Sequence, residues 1–145
     1  MSDYSQANLP SKSSLALDDQ DASRELAITI AQAAEERKAG DILLLRVAEV
    51  SYLSDYFVMM TGYSRVQVRA IAGAIEDKVK QEWQRRPIRT EGQADGTWVL
   101  QDYGDVIAHI MMPKEREFYN LEAFWGHAEQ IELPAVSNVS GGVKA

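Results

Sequence analysis

Two apolar runs, Trp98–Gln101 and Val106–Met111, are separated only by Asp102-Tyr103-Gly104-Asp105. A link that short closes an antiparallel hairpin, because parallel neighbours need a crossover of a dozen residues or more. Any sheet in this chain therefore contains an antiparallel pair. Two further runs, Asp41–Val47 and Tyr56–Thr61, are nearly continuous in aliphatic and aromatic residues. That pattern belongs to strands covered on both faces.

Helical periodicity flanks these strands. Leu26, Ile30, Ala33 and Ala34 predict a helix over residues 23–39. Ser23 is its expected N-cap, with Asp21 as competitor, and Gly40 its expected left-handed closing residue. Ser64 with Gln67 three residues on fits a capping box. Val68, Ile71, Ala72, Ile75 and Val79 then share one apolar face, which Trp83 extends until Pro87. Arg65, Arg69, Glu76, Asp77 and Lys80 occupy the opposite face. Residues 48–55 form a connection with a turn at Tyr52-Leu53, and Ile88–Thr90 forms a short edge strand. In the hairpin, Trp98 and Leu100 point one way and Val99 and Gln101 the other, and Gly104 relieves strain in the turn. Pro113 begins a final helical region, where Phe118, Leu121, Phe124 and Trp125 form an aromatic-rich stripe expected to seal the sheet edge. The fold class is α/β, a mixed sheet flanked by helices. The expected division is a disordered leader over residues 1–22, one domain over residues 23–132 and a flexible tail over residues 133–145.

The charge balance narrows the partners. The chain has 145 residues, with 15 Lys plus Arg against 22 Asp plus Glu, a formal net charge of -7. Residues 1–22 hold four Asp and one Lys, and residues 133–145 hold one Lys, which leaves -5 for residues 23–132. An acidic domain repels phosphate backbones, so no direct sequence-specific nucleic-acid binding is expected and a basic protein surface is the better partner. Cys is absent, which excludes disulfides and thiolate nucleophiles, and with two His a structural zinc site is not expected. No apolar run reaches the ~18 residues of a membrane span, and Met1–Gln20 lacks the basic start and apolar centre of a signal peptide. A cytoplasmic location is expected.

Few residues suggest bond-making chemistry. Thr61-Gly62-Tyr63-Ser64 leads from strand to helix but has neither the spacing nor the Lys of a phosphate-binding loop. Asp102 and Asp105, with Asp41 and Asp55, are the carboxylates available to Mg²⁺, but acids beside strands more often mark turns. His109 lies inside an apolar strand, which suits structural hydrogen bonding. His127 lies near a helix end, at the surface. No cofactor and no metal are expected. Trp98 has two readings, a core residue or a half-exposed anchor beside Glu91, Asp95 and Asp102. Aromatic anchors dominate many interfaces, and acidic neighbours steer a basic partner into register.

These residues carry a resemblance. Asp41-Ile42-Leu43-Leu44-Leu45, Ser54–Val68, Glu91-Gly92, Trp98–Val106, His109, Arg116–Glu122 and Trp125 together resemble the ribosomal silencing factor, or Iojap-related, family. The blocks span roughly residues 24–126, and their specificity lies in the set. Arg46 stands where the family often has Asp, and Ser54 where Thr is common. The resemblance implies a nucleotidyltransferase-like fold without that activity. It also implies binding to the large ribosomal subunit through ribosomal protein L fourteen, obstruction of subunit joining, and the capacity to form homodimers. Carried onto this chain, the docking surface comprises Trp98, Leu100, Asp102 and Tyr103, with Glu91 beside them and Asp105 holding the turn or touching the partner. The chain is expected not to be an enzyme. The rival readings are a large-subunit assembly factor and a Mg²⁺-dependent nucleotide enzyme using Ser64 and the Asp residues.

Overall fold

The structure is a computed structural model that describes residues 19–48 and 54–134. Its elements run α1 (Asp19–Glu36), β1 (Gly40–Arg46), β2 (Tyr56–Thr61), α2 (Arg65–Trp83), β3 (Arg89–Glu91), β4 (Trp98–Asp102), β5 (Val106–Met111), α3 (Pro113–Tyr119), α4 (Leu121–Phe124) and β6 (Glu129–Ile131). The strands form one mixed six-stranded sheet in the order β3-β4-β5-β2-β1-β6. At its centre β2 runs parallel to β5, with Tyr56 opposite Val106 and Thr61 opposite Met111. Every residue of both strands is buried. The pairing is possible because α2 carries the chain across the sheet between them, the crossover that parallel strands require. The β4–β5 hairpin is antiparallel in the expected register, Trp98 opposite Met111 and Asp102 opposite Ile107.

The sheet separates two apolar clusters. On one face α1 and α2 lie over Leu44, Tyr56, Val58, Met60, Val99, Val106, Ala108 and Ile110. Three contacts lock the helices together. The Trp83 indole donates to Thr29 Oγ1 at 3.1 Å. Lys78 meets Glu36 at 3.2 Å. Gln67 Nε2 donates to the carbonyls of Arg37 and Lys38 at the end of α1. On the other face Leu45, Val47, Phe57, Met59, Ile107 and Met111 are covered in part by Leu121, Trp125 and Ala128.

Several expectations are corrected here. Helix α1 begins at Asp19, so residues 19–22 belong to the helix and not to a leader. Ser23 is buried inside α1 and is no N-cap; its hydroxyl reaches Asp105 and Asp55 instead. The left-handed residue after α1 is Lys38 (φ 64°), while Gly40 already pairs with Thr61 in β1. The turn closes earlier because Ala39 N bonds back to Ala34 O, which leaves Gly40 free to start the strand. Strand β1 is buried at Leu44 and Leu45, but Asp41 is exposed and the register shifts between Gly40 and Leu43. Strand β6, unforeseen in the sequence, pairs with β1 and forms the edge. The capping box at Ser64 is present in altered form: Ser64 Oγ accepts from Gln67 N, and Gln67 Oε1 accepts from Tyr63 N, one residue before the cap. The edge strand runs Arg89–Glu91, one residue later than the expected span. The turn expected at Tyr52-Leu53, and residues 1–18 and 135–145 of the leader and tail, lie outside the described residues.

The loop entering β4 turns on Gly92, whose φ of 87° favours glycine. A Cβ there would stand 2.0 Å from the Trp98 carbonyl oxygen, a backbone atom that cannot swing aside. Gly92→Ala is therefore expected to destabilise the fold by roughly 2 kcal/mol or more, the combined effect of left-handed strain and displaced backbone. Urea unfolding of the two proteins measures the difference.

A candidate docking face

Alternation along β4 and β5 decides which side chains reach the second face. Trp98, Leu100 and Asp102 share it with Ile107, His109 and Met111, their cross-strand partners. From the edge strand, Glu91 opposite Leu100 and Arg89 opposite Asp102 join the same face. Strand period 2 places Val99, Gln101 and Tyr103 on the helix side. Gln101 is buried there and donates to Ala72 O at 3.0 Å. Tyr103, proposed from the sequence as a docking residue, is only 1% exposed and belongs to the helix-side cluster. Burial pushes its hydroxyl pKa up. It supports β4 from behind and is not on the docking face.

Trp98 is half-buried, neither a full core residue nor fully exposed. One edge packs against the second cluster. Its ring lies 4.8 Å from that of Tyr119, and its indole N–H donates to His109 Nδ1 at 3.3 Å. These contacts belong to a continuous run of rings. Phe118 meets Tyr119, Tyr119 meets Trp98, Trp98 meets His109, His109 meets Phe57, Phe57 meets Trp125, and Trp125 meets Phe124, with centroids 4.8–6.0 Å apart. Phe57 and His109 are the buried middle. Phe118, Tyr119 and Phe124 are 78%, 51% and 74% exposed. The aromatic stripe expected to seal the sheet is thus divided. Leu121 and Trp125 pack onto the second cluster, while Phe118 and Phe124 face outward. The reason is length: α3 and α4 hold seven and four residues and break at Asn120 (φ 47°), too short to turn every ring to one side. The exposed rings lie at the two ends of the run, Phe118 and Tyr119 at one and Phe124 at the other, and exposed apolar groups clustered as Phe118 and Tyr119 are fit an interaction surface. Tyr119 is a candidate that sequence reasoning missed; the signal was a second amphipathic aromatic beside Phe118, and only the packing brings it to Trp98.

The acids do not form an open negative patch. Arg89 reaches both Glu91, at 3.1 Å, and Asp102, at 3.3 Å. The other oxygen of Asp102 accepts from Gly104 N at 2.8 Å and fastens the hairpin turn, where Gly104 has φ 94°. Asp95 accepts from Thr97 and lies 4.0 Å from Arg65. Asp105 points away from this face. It accepts from Ser23 Oγ at 2.7 Å and from Arg85 at 2.8 Å. Its backbone oxygen accepts from Asp55 N, Tyr56 N and Ser54 Oγ. Burial alone would raise its pKa, but the hydrogen bonds from Arg85 and Ser23 outweigh that and hold it below the usual carboxylate range. Asp105 thus ties the hairpin turn to α1, the end of α2 and the start of β2. Asp102 and Asp105 therefore do not converge, and among the described residues no three His, Asp or Glu side chains gather as metal ligands. The N–H groups of Gly62 and Tyr63 are taken by Met111 O and Gln67 Oε1.

The picture is of an α/β domain with one sheet face buried under helices and the other offering an aromatic platform. Residues 20–144 match the family described as "Ribosomal silencing factor during starvation", and the chain belongs to that family. It is 38% identical to the ribosomal silencing factor of Halalkalibacterium halodurans over 113 residues, 78% of this chain and 96% of that protein. It is 37% identical to the chloroplastic protein Iojap of Arabidopsis thaliana over 118 residues, 81% of this chain and 49% of that one. The chain spans about half the length of the chloroplast relatives it matches. A crystal structure from Chromobacterium violaceum superposes with a TM-score of 0.69 at 35% identity, covering 71% of this chain and 85% of that chain. No described helix is long and apolar enough to cross a membrane.

Two measurements test the supports of the platform. Burial pushes the pKa of His109 down to about 4, against about 6.5 for an unfolded histidine. Between those values the unfolded chain binds a proton that the folded chain refuses. The His109 contribution should therefore be lost as pH drops from about 6.5 to about 4, roughly 3 kcal/mol in all, and below that the protonation of Asp105, whose pKa is lowered in the fold, continues the decline. Urea unfolding across that range should show the slope, and His109→Gln should flatten it. Asp105→Asn removes the charge held by Arg85 and should cost about 1–3 kcal/mol in thermal or urea unfolding. It should leave the aromatic face unchanged in near-ultraviolet circular dichroism.

Proposed function

We propose that this chain represses translation by binding the large ribosomal subunit through ribosomal protein L fourteen and obstructing the small subunit. The observation that carries this reading is the run of rings on the second face, exposed at Phe118, Tyr119 and Phe124 and anchored through Trp98. Large aromatic side chains bury much area with few rotatable bonds, which makes them interface anchors. Family membership supports the ribosomal assignment, and the name of the H. halodurans relative supports silencing. Trp98, Leu100, Tyr119 and Phe118 form the apolar part of the contact, and Glu91 and Asp102 its acidic rim. The bulk of the domain behind the sheet supplies the obstruction, and no covalent step is required. The site of action is the cytoplasm. The homodimer that the family resemblance implies is part of the same reading. The scaffold is nucleotidyltransferase-like, with the strand-end acids Asp55 and Asp105 held by Ser23 and Arg85 instead of serving a reaction.

Cosedimentation with purified large subunits, followed by a subunit-joining assay, tests the proposal. Tyr119→Ala is half-exposed and should fold normally, yet weaken binding about tenfold; Trp98→Ala should weaken it about thirtyfold or more. Both should restore subunit joining. Unweakened binding of the folded Tyr119→Ala and Phe118→Ala proteins would remove the aromatic face from the contact.

A further inference from the structure

The docking face carries its own cation. Arg89 lies on β3, a three-residue strand at the sheet edge, and its side chain is 57% exposed. Its guanidinium spans two carboxylates of neighbouring strands, with Nε on Glu91 and an Nη on Asp102. Asp102 has one oxygen committed to the Gly104 N–H of its own turn. The oxygen it offers outward is the one Arg89 holds. The backbone already pairs β3 to β4 through Arg89 opposite Asp102 and Glu91 opposite Leu100, and Ile88 N donates to Asp102 O at 2.7 Å. The side-chain bridge is therefore an addition to a strand pairing the main chain makes by itself. The Arg89–Glu91 pair is exposed on both sides and contributes little to folding, while Asp102 is 20% exposed and meets Arg89 with its one oxygen not bound in the turn.

We propose that Arg89 is an internal stand-in for an arginine of the partner. The two acids beneath it are spaced for one planar guanidinium fork, the geometry Arg89 demonstrates, and a compact ammonium cannot bridge them in the same way. On docking, the partner's arginine takes Asp102 and Glu91 from Arg89, whose freed charge then faces a basic surface. Arg89 thus weakens the complex and selects for partners with an arginine placed to displace it. This deepens the docking reading given above and rests on it for the identity of the partner, but not for the chemistry of the exchange.

Arg89→Gln tests it in two arms, with Arg89→Lys as the variant that keeps the charge. In the first arm a synthetic arginine nonapeptide, and a lysine nonapeptide beside it, are titrated against each full-length protein by calorimetry at several salt concentrations. Arg89→Gln should bind the arginine peptide about three- to tenfold more tightly than wild type, with a steeper salt dependence, because two carboxylates lose their internal counter-ion. The lysine peptide should gain less, and Arg89→Lys, which keeps the charge but cannot span both acids, should fall between wild type and Arg89→Gln with the arginine peptide. In the second arm the same proteins are cosedimented with large subunits, where Arg89→Gln should again tighten binding. Tightening with the peptide but no binding of wild type to large subunits would sink the docking reading and leave the exchange standing. Unchanged or weaker binding of the arginine peptide by folded Arg89→Gln overturns the exchange, since Arg89 is then either a bystander or itself the contact. Tightening with the peptide but not with bound subunits overturns its role at the docking face.

Discussion

The parallel pairing of β2 with β5 is the constraint on which the rest depends. Both strands are buried along their whole length, and six residue pairs align from Tyr56 with Val106 to Thr61 with Met111. Burying both faces of a strand requires layers on both sides. The helices α1 and α2 supply a full layer on one side, whereas α3, α4 and the half-buried rings supply an incomplete one on the other. That inequality produces the surface. A sheet fully covered on both faces would have no aromatic platform, and one uncovered on the second face would expose Met59 and Ile107 to water.

The ends of the parallel pair are fastened by polar groups. Asp105 gathers Ser23 from α1, Arg85 from the end of α2, and the backbone of Asp55 and Tyr56 at the start of β2. The carboxylate thus ties α1 and the end of α2 to the hairpin turn, and the backbone carbonyl of the same residue adds the start of β2. At the other end Arg116 donates to Thr61 Oγ1 and Asp41 O and pairs with Glu122, which ties α3 and α4 to the tips of β1 and β2. The platform is held from below by His109, which stays neutral because it is buried and accepts the Trp98 indole proton on Nδ1. Rigid support of this kind keeps an anchor in one rotamer before the partner arrives and reduces the entropy lost on binding.

Much of the fold was legible because it rests on local periodicity. The α2 stripe of Val68, Ile71, Ile75 and Val79, its Ser64 cap, and the inward and outward alternation of the hairpin all follow from spacing along the chain. The errors fell where a residue type has two uses. Ser23 suits an N-cap, but a buried serine opposite two aspartates serves better as their donor. Tyr103 was assigned to the surface with its neighbours, although strand alternation puts it with Val99 and Gln101 on the helix side. The acids around Trp98 formed a negative patch in the sequence because Arg65 lies 30 residues from Asp95 and Arg89 lies 13 from Asp102, and these become partners only when the strands and α2 pack, whereas Arg89 and Glu91 are near neighbours on one strand.

The chain's own residues determined the kinds of element, the mixed sheet and the helix-facing half of the core, since these depend on periods of 3.6 and 2 and on a hairpin loop too short for a crossover. Tertiary structure alone decided which aromatics face water, that Tyr119 stacks on Trp98, and that Arg89 answers two acids of the docking face. Those outcomes depend on how far short C-terminal helices reach across a sheet and on which charges meet through space. Neither distance is a function of separation along the chain.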